Sequence, residues 1–322
     1  MTTIAGIDIG GTKCAVSLGR LRGADVEIFA KERFPTPAAP EEAVAQMLAA
    51  LEKLVDAHPG AAVAAIGISC GNPLDSRRGL ILSPPNLPGW DAVDIVSPFR
   101  DRYGVPVALQ NDANACALAE WKWGAGRGCR NVVFLTFGTG MGAGLILNGA
   151  LYAGTNDYAG EAGHVRLEAF GPSGYGKNGS FEGFCSGGGI ARYAQLKAEA
   201  ALQMGERPSF CADVSELGAV TAQAVGDAAQ AGDLLAVEIY EDVGRYLGKG
   251  LAVIVDLLNP EKVIIGSIYG RQQAILEPAA LETLRREALP QAMAVCEIVP
   301  GELGERIGDY GCLSVALNAL DQ

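Results

Sequence analysis

Apolar residues along this chain follow two periods. "IAGIDIGGTKCAVSLG", residues 4–19, is an apolar run, a glycine turn and a second apolar run, and "NVVFLTFGTGMGAGLILNG", residues 131–149, repeats that plan about 130 residues later. Each segment predicts two antiparallel strands joined by a glycine-rich turn. Asn148-Gly149 adds the dipeptide favoured in a tight hairpin. The recurrence predicts two related domains. Between and after these segments the period becomes helical. In 41–58 the apolar positions 44, 47, 48, 51, 54 and 55 share one face, opened by Glu41 and Glu42 and closed by Pro59-Gly60. Residues 112–124 predict a second helix and 240–260 a third, stopped at Asn259-Pro260. "KVIIG", 262–266, reads as a buried strand. Strands alternating with helices place the chain in the α/β class.

Composition sharpens this picture. At 322 residues the chain is long enough for two cores, and 49% hydrophobic with 19% charged residues is the balance of a compact soluble protein. A net charge of −12 argues against nucleic acid and anionic membranes as partners, though not against a small phosphorylated ligand. Asp8 and Lys13 interrupt the N-terminus before any signal-like run, and the apolar stretch "GLAVIVDLL" is too short to span a bilayer. A cytoplasmic protein is expected. None of the eight cysteines forms a C-x-x-C pair, so scattered thiols in a reducing compartment are expected.

Five segments carry candidate chemistry. In "DIGGTK", 8–13, Gly10 and Gly11 let the backbone approach a phosphate, Thr12 and Lys13 can donate to it, and Asp8 could hold Mg²⁺ directly or through water. The Walker A spacing is absent, and the turn leads into a strand, unlike a dinucleotide fingerprint. An ordinary hairpin is the alternative. In "TFGTGMGAG", 136–144, alternating glycines would weaken a plain strand. Close approach of phosphate oxygens to Thr136, Gly138, Thr139 and Gly140 explains them better than a bulged hairpin does. "LQNDANA", 109–115, sets Asn111 and Asp112 between a strand and a helix. Asp112 could take a proton from an attacking hydroxyl that Asn111 orients, or it could simply cap the helix.

In "GEAGHVRLEAFGPSGYGKNGSFEG", 160–183, Glu161, His164 and Glu182 offer the acceptors and donor that grip a polyol, unless His164 is only structural. In "GISCGNPLDSRRGLILSPPNLPGW", 67–90, Gly71 and Asn86 stand in turns that line either a sugar pocket or a plain surface loop.

Taken in order, "IDIGGTK", "PPNLPGW", "NDANA", "FGTGMGAGLI", "AGEAGH" and a following "E…SG" resemble the ROK family, named for repressor, open reading frame and kinase. The resemblance runs from Ile4 to the final helix. It implies a two-lobed actin-like and hexokinase-like ATPase fold, built from duplicated ribonuclease H-like domains with an active-site cleft between the lobes. The lobes are expected at 1–115 and 116–305, with the last helix, 306–322, packing back on the first. The resemblance implies that Asp8 and Gly10–Lys13 meet Mg²⁺ and the phosphates of ATP, as do Thr136, Gly138, Thr139, Gly140 and Gly266. Asp112 is the general base, and Gly71, Asn86, Asn111, Glu161, His164 and Glu182 hold the sugar.

Ser267 and Ile268 depart from the family, standing where further glycines are usual. A second departure concerns zinc. Many members bind it with the histidine and a C-x-C-G-x-x-G-C loop, but Ser173, Tyr175 and Ser180 occupy the thiolate positions here. These are poor substitutes for thiolates, so no zinc site is expected. The expected protein is an ATP- and Mg²⁺-dependent kinase acting on the 6-hydroxyl of a hexose. Glucose is the default, N-acetylmannosamine, mannose, allose and fructose stay open, and a homodimer is implied. A silent sugar sensor and a DNA-binding regulator are the rivals. The regulator is disfavoured because only seven residues precede Asp8 where a helix-turn-helix would lie.

Overall fold

The computed structural model describes residues 2–320. Strands β1 (Thr3–Ile9), β2 (Lys13–Arg22), β3 (Asp25–Pro35), β4 (Val63–Cys70) and β5 (Val107–Asn111) form a sheet of order β3-β2-β1-β4-β5. The hairpins β1–β2 and β2–β3 are antiparallel, whereas β1–β4 and β4–β5 are parallel. Helix α1 (Pro40–Asp56) connects β3 to β4, and helix α2 (Asp112–Trp123) follows β5 directly. Ile7, Ile9, Val16 and Leu18 of the sheet pack with Met47, Leu51 and Leu54 of α1 in one buried core.

A second five-stranded sheet contains β6 (Val132–Leu135), β7 (Ala143–Leu147), β8 (Ala150–Leu151), β9 (Lys262–Ile265) and β10 (Glu297–Pro300), in the order β8-β7-β6-β9-β10. The β7–β8 hairpin turns through Asn148 and Gly149 at φ 56° and 80°, the left-handed pair that this dipeptide favours. Helices α3 (Gly187–Gln203), α4 (Ala222–Gln230), α5 (Leu234–Leu258) and α6 (Ile268–Glu287) precede or follow β9. Helix α5 begins six residues earlier than its periodicity predicts, because Asp233 caps it by accepting the Ala236 N–H at 3.0 Å. It ends at Asn259, whose φ of 43° is the left-handed C-cap geometry.

The chain divides into two compact units. The first takes residues up to Phe134, 144–159 and Glu302 onward, and the second takes 135–143 and 160–301. The first unit therefore runs past residue 115 and keeps α2. Helix α7 (Ile307–Leu320) packs on β1 and β4 in that unit. A Cβ on Gly67 would lie 2.0 Å from the Cys312 carbonyl oxygen, so glycine is what lets the helix come this close. No described helix is long and apolar enough to cross a membrane.

Candidate active site

In the first unit the parallel strands set the register of the candidate residues. Asp8 pairs with Ser69, and Cys70 pairs with Asn111, so Asp8, Gly71 and Asp112 gather at the carboxyl ends of β1, β4 and β5. Open α/β sheets place their ligands at this edge. The turn after β1 is closed by Gly10 N–H donating to the Lys13 carbonyl at 3.0 Å and by the Thr36 hydroxyl donating to the Gly10 carbonyl at 2.6 Å. Gly10 thus uses its amide inside the turn, while Gly11, Thr12 and Lys13 are exposed. Asn86 sits against the turn, its carbonyl oxygen 2.6 Å from where a Cβ on Gly11 would stand. The Asn86 side chain in turn lies 3.6 Å from the corresponding point on Gly71.

Asn111, not Asp112, is the N-cap of α2. Its Oδ1 accepts the Asn114 N–H at 2.7 Å, and the residue is 5% exposed. The helix therefore does not rely on Asp112 for its cap. Asp112 is exposed, and its Oδ1 accepts the Ala113 N–H at 2.8 Å. What Asn111 could offer a substrate is its NH₂ group and the second lone pair of its oxygen.

Asp8 is the perturbed acid of this cluster. Burial pushes its carboxyl up to about 6, reinforced by the neighbouring carboxylates of Asp309 and Asp112 and opposed by Lys31 and Arg33. Lys31 pairs with Asp309 at 2.5 Å. Anionic groups crowded into poor solvation are relieved by a cation, so the donor set suits Mg²⁺, which needs only one or two protein carboxylates beside water and phosphate oxygens.

The second unit gathers the remaining candidates. The turn after β6 is closed by Thr136 N–H to the Gly142 carbonyl at 3.0 Å and by Gly138 N–H to the Gly140 carbonyl at 3.1 Å. The Thr136 hydroxyl accepts the Gly142 N–H at 2.9 Å, so Thr136 builds the turn. Glu182 Oε2 accepts the Met141 N–H at 3.0 Å and lies 2.9 Å from where a Cβ on Gly140 would be. A residue expected to grip sugar thus also braces the candidate phosphate turn. Gly266 donates its N–H to the Leu135 carbonyl at 3.0 Å.

Glu161 and His164 are exposed at a short 3₁₀ turn, Ala162–His164. Basic side chains tie the loop that follows to its own carbonyls. Lys177 Nζ donates to His164 O at 2.6 Å, Arg166 to Asn178 O at 2.6 Å and Arg192 to Ser173 O at 2.5 Å. Ser180 caps the next helical turn through the Gly183 N–H at 3.1 Å. Tyr175 is 76% exposed and meets the His164 ring edge-on. Among the described residues no cluster of three or more His, Cys, Asp or Glu is arranged to hold a metal ion.

A cavity of about 610 Å³ opens in the second unit beside this turn. Gly138, Thr139 and Gly187 line one side and Ser267, Ile268 and Arg271 another. The segment is pinned by Ile268 N–H donating to Phe137 O and Gly187 N–H donating to Gly138 O, each at 2.8 Å. Ser267 and Arg271 carry no motif, and only the break in the glycine pattern at 267 and 268 marks the place in the sequence.

Strand order, glycine turns and acid edge together define the actin-like, hexokinase-like ATPase fold. The ROK family model matches residues 4–319, and the chain belongs to that family. The glucokinase of Streptomyces coelicolor is 31% identical over 313 residues, which is 97% of this chain and 96% of that protein. The ROK hexokinase of Thermus thermophilus superimposes with a TM-score of 0.82 at 30% identity, covering 100% of both chains. A ROK glucokinase from Streptomyces griseus, solved with glucose and AMPPNP, gives 0.75 at 28% identity and covers 98% of this chain and 99% of that one. The DNA-binding transcriptional repressor Mlc of Escherichia coli and the xylose repressor of Bacillus spizizenii match as well, over 53% and 60% of their own length.

Proposed function

We propose that this protein is an ATP-dependent hexose kinase that transfers the γ-phosphoryl group of MgATP to the 6-hydroxyl of a hexose, with glucose as the default substrate and the cytoplasm as its place of work. The observation that carries the reading is Asp112. It stands exposed at the sheet edge beside Asp8, and the neighbouring Asn111 does the capping. An acid at this place with no role as the helix cap is suited to accept the proton of the attacking hydroxyl. Similarity to glucokinases over nearly the whole chain supports the same reading.

In this mechanism the chain supplies position and charge. Gly71, Asn86, Glu161, His164 and Glu182 are the residues proposed to hold the sugar hydroxyls. The exposed residues Gly11–Lys13 and Thr139 receive phosphate oxygens, since Gly10 and Gly138 use their amides internally. Asp8 is the residue that would hold Mg²⁺, and the chemistry the ion would supply there is neutralisation of phosphate charge. Phosphoryl transfer asks little more of a protein than such placement and charge stabilisation.

The test is a panel of glucose, mannose, allose, fructose and N-acetylmannosamine with MgATP, read as kcat/KM for hexose-dependent ADP release. A sugar 6-phosphate with glucose among the best acceptors is expected. Tight sugar binding without ADP release would instead identify a sugar sensor.

A further inference from the structure

Ser267 is held at φ 52°, ψ −107°, immediately before α6. That backbone region is open to glycine and costly for a residue with a Cβ, and strain of this kind persists where the surroundings enforce it, most often at functional sites. Glycine would relieve it, yet the chain carries serine. The surroundings that enforce it are visible. Gly266 N–H is tied to Leu135, Ile268 N–H is tied to Phe137, and the Ser267 hydroxyl accepts a hydrogen bond from Arg271 Nη2 at 2.8 Å. The result places a hydroxyl and a guanidinium side by side on the wall of the 610 Å³ cavity, opposite Gly138 and Thr139. A Cβ on Gly138 would lie 3.6 Å from Ser267 Oγ, so the pair faces the glycine turn at ordinary contact distance. The cavity is also lined by Asp227, Gln230 and Gln272, where Gln230 donates to the Gln272 side chain at 3.1 Å and to the Arg271 carbonyl at 3.2 Å. The wall thus combines a guanidinium and glycines with side-chain amides and one carboxylate, Asp227.

We propose that Ser267 and Arg271 form a recognition pair for the phosphate chain of the phosphoryl donor. This rests on the kinase reading and adds two donor-binding residues to it. A guanidinium suits phosphate oxygens because it presents several fixed N–H donors and never loses its charge. Ser267 holds that guanidinium against the wall through its hydroxyl, and this is what the strained serine contributes that glycine could not.

Titration calorimetry on the whole chain with ATP, ADP and adenosine, together with thermal melts, tests the proposal. Ser267→Gly removes the strain and the hydroxyl. It is expected to raise Tm by about a few degrees while weakening ATP about three- to tenfold. Arg271→Gln is expected to weaken ATP and ADP about ten- to a hundredfold, with adenosine unchanged. A Ser267→Gly protein that is more stable and binds ATP as tightly as the original would overturn the proposal. So would an Arg271→Gln protein that loses adenosine and ATP equally. Failure of the kinase reading looks different, because the unaltered protein itself would then bind no ATP.

Discussion

The turn after β1 and the turn after β6 each tie one glycine amide into themselves, Gly10 to Lys13 and Gly138 to Gly140. Around that shared device they are built differently. The first is backed by neutral groups, the main chain of Asn86 and the hydroxyl of Thr36. The second is backed by the carboxylate of Glu182, a residue proposed with Glu161 and His164 to hold the sugar. The second turn is therefore the one whose shape can respond to what Glu182 is doing, while the first is a fixed support. Asp112, the proposed proton acceptor, stands beside the fixed one.

The largest effect should come from that side. Asp112→Asn keeps the helix cap, which belongs to Asn111, and removes the proton acceptor. We expect kcat to fall roughly 10²–10⁴-fold with glucose affinity within a few-fold. Activity close to the original would assign the proton to another group. Under the proposed sugar-holding role, His164→Ala should weaken glucose about ten- to a hundredfold without unfolding the chain. An unchanged glucose Kd would take His164 out of the site.

Alanine in each turn sharpens the contrast. At Gly11 the new Cβ meets backbone, the Asn86 carbonyl at 2.6 Å, whereas at Gly140 it meets the end of a flexible side chain, Glu182 Oε2 at 2.9 Å. Gly11→Ala is expected to cost about 1–3 kcal/mol of stability in a denaturant titration, and Gly140→Ala clearly less. Equal losses would mean that the second turn is as fixed as the first.

Asp8 offers a pH test. Its carboxyl is raised from 3.8 to about 6 in the fold, so the folded chain holds this proton more tightly than the unfolded chain does. The resulting penalty is absent below about pH 4, grows as pH rises toward 6 and is complete above it. Asp8→Asn should therefore melt a few degrees higher than the original at pH 7.5 without Mg²⁺, and at the same temperature below pH 4. A lower Tm at pH 7.5 would show that the carboxylate is stabilised where it sits. The smallest effect is expected at the loop between His164 and Ser180. Excess EDTA should leave Tm unchanged, because basic side chains already close the loop. A chelator-induced drop, with near one zinc per chain by elemental analysis, would reverse that expectation.

The two turns were legible in the sequence because so many glycines inside an apolar run have few explanations other than close approach. The sheet edge followed from the strand-to-helix step at "LQNDANA". Other features depend on contacts that no local pattern encodes. Glu182 reaches Met141 across 41 residues, and Ser267 meets Gly138 only because Ile268 is pinned to Phe137. The expected lobes, 1–115 and 116–305, and the two compact units differ for a similar reason. Motifs mark where ligands are handled, while unit boundaries follow packing, and α2 stays with the sheet that precedes it.

The cap on Asn111 has a consequence for descent. One base change turns an aspartate codon into an asparagine codon, and at position 112 the helix would keep its start. Under the proposed mechanism a lineage could give up catalysis in a single step and retain the groups proposed to grip the sugar, leaving a receptor for the molecule its ancestor consumed. Had the same carboxylate both started the helix and taken the proton, the two properties would have been inherited or lost together.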